Sequence, residues 1–196
     1  MKKLHVSIHG NSPLIEHSPK CVNPFHPIAK KMAPIMSKRK KTDEDKIILS
    51  DYEWEAGVYW DDNIGLFIPN ECIMATLVGG AKMNKNGSAI QRYTQVVESI
   101  APLDIGEVQD YEKMKLDPRF RDVRSVVVKR QRIIRTRPRF NTWRCSFTLL
   151  FDETKIDVDA IAMALENAGN YIGLCEMRNM GYGRFSASIT EVEMAA

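Results

Sequence analysis

Three stretches of this chain alternate apolar and polar residues with a period of two. In Lys3 to His9, Leu4, Val6 and Ile8 fall on one side and His5, Ser7 and His9 on the other. Trp143 to Phe151 sets Cys145, Phe147, Leu149 and Phe151 against Arg144, Ser146 and Thr148. Gly183 to Val192 sets Phe185, Ala187 and Ile189 against Arg184, Ser186, Ser188 and Thr190. Such alternation marks a strand with one face in the core and the other in water. Strands of this kind call for a sheet covered by helices on one side and open on the other.

Helical signals lie between them. Thr42 can cap a helix that runs to about Gly57, with Asp45 at the capping-box position and Ile47, Ile48, Tyr52 and Ala56 on one face. Pro69-Asn70 opens another helix, with Ile73, Met74, Leu77, Val78 and Ala81 at helical spacing and an end near Gly79-Gly80 or Lys82. A third covers Asp157 to Ala168, closed by Gly169. Val58–Trp60 and Leu66–Ile68 read as a hairpin, Ser88–Ser99 as a weak helix, Ile100–Ile105 as a short strand, and Tyr111–Pro118 as a loop or a helical turn. Val123 to Ile134 is β-branched and reads as a bent hairpin arm that Pro138 ends. Pro34 divides Ile28 to Lys41 into two short helical pieces.

With insertions set aside, the order is β-α-β-β-α-β, an α+β ferredoxin-like arrangement shared with RNA-recognition domains. The expected core strands are about 3–9, 123–136, 143–151 and 183–192. Inserted segments take about 11–65 and 83–122 of a single 196-residue domain. The open face would carry His5, Ser7, His9, Ser146, Thr148, Ser186 and Ser188, without the base-stacking aromatics of a standard RNA-recognition motif.

Charge is concentrated in Arg119 to Arg144. That stretch holds ten Lys or Arg against one acid, Asp122; the rest holds 18 of the 28 basic residues and 24 of the 25 acidic ones. So much arginine points to a polyanion, because the guanidinium fork matches phosphate. The plain alternative is a solvated hairpin whose arginines pair with acids elsewhere. The phosphate candidates are Arg124, Lys129, Arg130, Arg132, Arg135, Arg137 and Arg139, joined by the run Lys38, Arg39, Lys40 and Lys41. The loop Gly181-Tyr182-Gly183-Arg184 could bring backbone N–H groups to a phosphate, with Arg178 beside it and Tyr182 stacking on a base. The alternative is a tight turn into the last strand.

Other classes find little support. Cys21, Cys72, Cys145 and Cys175 show no zinc spacing and suit a reduced, intracellular, cytoplasmic chain, with Cys72, Cys145 and Cys175 read as buried small apolar residues. No apolar run reaches a membrane span, and the first residues lack a signal-peptide segment. His5 and His9 share a strand face but stand ~13 Å apart, too far to chelate one ion. With no catalytic grouping, phosphate-binding loop or dinucleotide fingerprint, a non-enzyme without cofactor or metal is expected.

Two stretches resemble a known family. Leu66-Phe67-Ile68-Pro69-Asn70-Glu71-Cys72-Ile73-Met74-Ala75-Thr76-Leu77 is similar to the strand, Ile-Pro turn and helix start of Cas7-type CRISPR backbone proteins. Met180-Gly181-Tyr182-Gly183-Arg184-Phe185 is similar to the glycine-rich loop of the wider repeat-associated (RAMP) superfamily. Most of the chain also resembles a group of phage proteins of about this length, through Lys41–Asp45, Asp117–Asp122 and Asn170–Leu174. The Cas7 resemblance implies a ferredoxin-like palm with inserted pieces that polymerises head-to-tail on a single strand held in a basic groove. The expected function is therefore single-stranded nucleic-acid binding, ssDNA before RNA, as a homo-oligomer or filament. The role would lie in phage replication or recombination, or resemble that of a CRISPR backbone. Two other readings are an anti-CRISPR-like decoy acting on a host defence complex, and a RAMP-type endoribonuclease.

Overall fold

The alternating segment 3–9 becomes an inner strand of a sheet. The computed structural model describes residues 1–128 and 130–192. Its elements are β1 (Lys2–Gly10), β2 (Leu14–Ile15), α1 (Pro27–Met36), α2 (Asp43–Gly57), β3 (Trp60–Asp61), β4 (Gly65–Pro69), α3 (Asn70–Lys82) and α4 (Gly87–Tyr93). They continue with β5 (Thr94–Val96), β6 (Ile100–Asp104), α5 (Tyr111–Leu116), β7 (Arg121–Val128), β8 (Gln131–Phe140), β9 (Arg144–Phe151), α6 (Val158–Asn167) and β10 (Phe185–Val192). The chain divides into two compact units: Met1–Leu14, Trp60–Val108 and the chain from Asn141 onward form the first, Ile15–Tyr59 and Gln109–Phe140 the second.

In the first unit the strand order is β10-β1-β9-β6-β4-β3, with β5 also pairing β9. Four neighbours in that order, β10-β1-β9-β6, with α3 and α6 as crossovers, make a ferredoxin-like sheet, and all their pairings are antiparallel. The expected second core strand, 123–136, is not in this sheet. Its place is taken by β5 and β6, which pair successive parts of β9. Between them Val97 N–H donates to the Thr148 carbonyl and the Glu98 carboxylate accepts the Thr148 N–H at 2.8 Å. That side-chain substitution interrupts the alternation that would have marked one long strand.

Leu4, Val6, Ile8, Cys145, Phe147, Leu149 and Phe151 are buried, and His5, Ser7, His9, Ser146, Thr148, Ser186 and Ser188 form the opposite face, as the alternation requires. On the edge strand β10 only Phe185 is buried; Ala187 is exposed and Ile189 half-exposed. Of the two ends expected for α3, Lys82 is the one observed, and Gly79-Gly80 lies inside the helix. A Cβ on Gly80 would meet the Ala164 carbonyl oxygen at 2.1 Å, so Gly80 lets α3 and α6 approach closely. Gly169 serves the same end: its Cβ would lie 2.1 Å from the Phe185 carbonyl oxygen.

In the second unit α2 starts at the capping box expected from Thr42 and Asp45. Its inner face differs from the apolar positions expected: Ile47 is exposed and Trp54 fully buried. Trp54 Nε1 donates to the Phe120 carbonyl at 2.8 Å, and its ring packs edge-on against Tyr111 at 5.5 Å. Residues 27–36 form one helix with Pro34 inside it, rather than two pieces. Pro138 likewise does not stop β8. It sits in register opposite Arg121, and its carbonyl accepts the Glu16 N–H at 3.1 Å. A proline is tolerated in a strand where its missing N–H is not needed.

Candidate nucleic-acid interface

The basic stretch folds as the β7–β8 hairpin, and its register sorts the charges. Asp122 faces Arg137 and Arg124 faces Arg135 on one side; Val123, Ser125 and Val127 face Thr136, Ile134 and Arg132 on the other. At least five of the ten cations form ion pairs among the described residues. Arg121 pairs with Asp51 at 2.8 Å, Arg119 with Asp117 and Arg144 with Asp104 at 2.7 Å each, Arg124 with Asp122, and Arg135 with Glu53. Most of the excess at the base of the hairpin is thus internal structure. Asp104 is held below the usual carboxylate range by the Gly106 N–H and then Arg144; Asp117 is lowered by hydrogen bonds from Arg119.

The outer end differs. Arg130 occupies the turn with φ of 67°, and Arg132 follows it; both are exposed and neither forms an ion pair among the described residues. Lys129 lies outside the described residues. Arg139 is half-buried, and Arg137 is turned inward, with Nε and Nη1 buried and without a hydrogen-bond partner. On the outward face Val123, Val127 and Ile134 stand exposed.

The 38–41 run connects α1 to α2 in the same unit and is also divided. Lys38 pairs with Asp45 at 2.6 Å, and Lys41 Nζ donates to the carbonyls of Met36 and Lys38 at 3.1 Å. Lys38 and the Thr42 N–H lower the Asp45 carboxyl against the opposing effect of burial. Arg39 and Lys40 are exposed.

The glycine loop belongs to the first unit. Three of its four N–H groups are already used: Gly181 donates to the Arg178 carbonyl, Gly183 to that of Pro13 at 2.9 Å, and Arg184 to Ser12 Oγ at 2.9 Å. Gly183 is required sterically, since a Cβ there would lie 2.1 Å from the Leu174 carbonyl oxygen. The tight-turn reading accounts for this geometry. Arg184 folds back on the Arg178 carbonyl at 3.3 Å, while Arg178 is exposed and Tyr182 half-buried.

The open sheet face is a hydroxyl and imidazole surface. Ser7 Oγ and Ser146 Oγ lie 2.9 Å apart, and Asn11 Nδ2 donates to Ser186 Oγ at 2.8 Å. Burial raises the Glu98 carboxyl, but hydrogen bonds from the Thr148 backbone and side chain and from Glu98's own N–H, with the charge of His5, together outweigh it and leave the net shift downward. Among the described residues no group of three His, Cys, Asp or Glu could hold a metal, and no helix is long and apolar enough to cross a membrane. The acids of α2, Asp51 and Glu53, were not singled out from sequence. Their only signal is an acidic run in one segment and a basic run in another.

No family model and no curated protein matches the chain. Among solved structures it is similar to a chain of a Type IV-B CRISPR complex, at 11% identity and a TM-score of 0.46, over 99% of this chain and 92% of that one.

Proposed function

We propose that this chain is a non-enzymatic single-stranded nucleic-acid-binding protein, Cas7-like in plan. Exposed cations at the hairpin turn and the α1–α2 connection hold backbone phosphates. The observation that carries the reading is the contrast along the hairpin. Arg121, Arg124 and Arg135 are paired with acids, whereas Arg130 and Arg132 at its end are exposed and form no ion pair among the described residues. Unpaired guanidiniums suit phosphate without reading sequence. ssDNA is the expected strand, bound head-to-tail by successive copies as a coat in phage replication or recombination or in a CRISPR-backbone-like assembly. The site consists of Arg39, Lys40, Arg130 and Arg132, with Arg178 and Tyr182 available in the other unit.

A polarisation titration of a labelled oligonucleotide at several salt concentrations tests this. Length-dependent binding is expected, with a log–log salt slope of about −3 per copy if four phosphates are neutralised. Absence of binding at low salt rejects the reading, and matched DNA and RNA oligonucleotides test the strand preference.

The exposed Val123, Val127 and Ile134 favour a second reading, contact with a protein of a host defence complex. A stoichiometric partner that survives nuclease treatment, and is lost on Val127→Asp, would support it.

A further inference from the structure

The second unit holds a cleft of about 710 Å³ between α1, α2 and β8. Its apolar lining is supplied mainly by Ala29, Met32, Ala33, Met36 and Ala56. A second cleft of about 450 Å³ shares Met32 and Met36 and extends to Leu49 and Ile133. Small-molecule sites have volumes of roughly 300–1,000 Å³, apolar walls and a few polar groups that fix orientation. Methionines adapt such walls to flexible apolar chains.

The polar wall carries unbalanced charge. Arg124, Arg135 and Arg137 share one face of the hairpin with Asp122, and Glu53 reaches the same place from α2. In the lining of the cleft itself, two guanidiniums, Arg135 and Arg137, meet one carboxylate, Glu53. Asp122, which stands opposite Arg137 in register, is engaged through Oδ1 with Arg124, and its buried Oδ2 has no hydrogen-bond partner among the described residues. Glu53 is engaged through one oxygen with Arg135 and through the other with the Thr136 N–H at 2.8 Å. Arg137 is left over: it lines the cleft, and its buried Nε and Nη1 lack a hydrogen-bond partner. Arg137 is half-buried, and its two buried nitrogens without acceptors are costly; an anionic ligand would relieve that cost.

We infer that this cleft binds a small amphipathic carboxylate. Its chain lies on Met32, Met36 and Ala33, and its carboxylate takes the Arg137 guanidinium. The site is separate from the exposed cations proposed to hold phosphates.

Isothermal titration with dodecanoate below its micelle concentration, against dodecanol and dodecylammonium, tests the inference. One dodecanoate per chain is expected, bound at least about tenfold more tightly than dodecanol, the margin of one charge-assisted hydrogen bond. Arg137→Gln should erase that margin and Arg137→Lys should keep part of it. Ala33→Trp, at an exposed helix position, should block binding while leaving the melting temperature unchanged, and decides the matter if Arg137→Gln does not fold. Equal binding of dodecanoate and dodecanol overturns the inference. So does an unaltered margin in Arg137→Gln, or displacement of a bound oligonucleotide by dodecanoate, which would place the anion on the phosphate cations.

Discussion

Glu53 and Arg135 are joined across α2 and β8, and the second oxygen of Glu53 accepts the N–H of Thr136, the next residue along the strand. One carboxylate thus satisfies a guanidinium and a backbone donor. Arg135→Ala should destabilise the protein by about 1–3 kcal/mol, because Glu53 loses a charged partner. The double variant Arg130→Glu/Arg132→Glu should leave the melting temperature unchanged and abolish oligonucleotide binding. Thermal melts and polarisation titrations on both proteins separate structural from functional arginines. A double variant that still binds as wild type would remove the hairpin end from the interface.

Gly80→Ala should destabilise, against the usual direction. In an ordinary helix interior the change gains about 1 kcal/mol. Here the methyl group would meet the Ala164 carbonyl oxygen at 2.1 Å and the Ala168 nitrogen at 2.6 Å. Forcing α3 from α6 should cost about 1–3 kcal/mol, readable in urea unfolding.

The capping box sets a pH dependence. Asp45 is lowered in the folded protein, first by its hydrogen bond from Lys38 and then by the Thr42 N–H. A depressed carboxyl contributes its stability fully above the ordinary Asp value of about 3.9 and loses it as pH falls through the folded value. The gap in melting temperature between wild type and Asp45→Asn should therefore be widest near neutrality and close as pH drops below about 4. Thr42→Ala should cost about 1 kcal/mol throughout.

Native alkylation should discriminate among the cysteines. Burial pushes the Cys145 thiol up to about 12, whereas Cys21 is exposed. Iodoacetamide at about pH 8 should modify Cys21 first and spare Cys145 until urea is added, as read by peptide mass mapping. Early modification of Cys145 would contradict its place inside the sheet.

Period-two alternation located β1, β9 and β10 because one face of each meets the helices and the other meets solvent. The second core strand escaped because Glu98 stands in for a backbone group between β5 and β6. The Val123–Ile134 region was legible as a hairpin but not as a sheet apart from the core. β-branched residues announce strands without saying which neighbours they take. Gly80 and Gly183 were readable only as punctuation, since close approach to a distant carbonyl leaves no trace in the local pattern. For the interface, the density of arginine was plain. Which of them Asp51 and Glu53 neutralise depended on bringing residues some eighty positions apart together.

That long reach also governs how the molecule comes into being. His5 has Thr148 on one side and Thr190 on the other. The earliest strand of the core leaves the ribosome long before either neighbour exists. Pairings this distant in sequence form slowly, whereas the β7–β8 hairpin closes on adjacent residues. During synthesis β1 must wait with its apolar side uncovered, while the hairpin unit between it and β9 is already able to fold. A ribosome stalled before β9 should therefore display a structured β7–β8 hairpin while the core sheet is unassembled, with Leu4, Val6 and Ile8 open to chaperones.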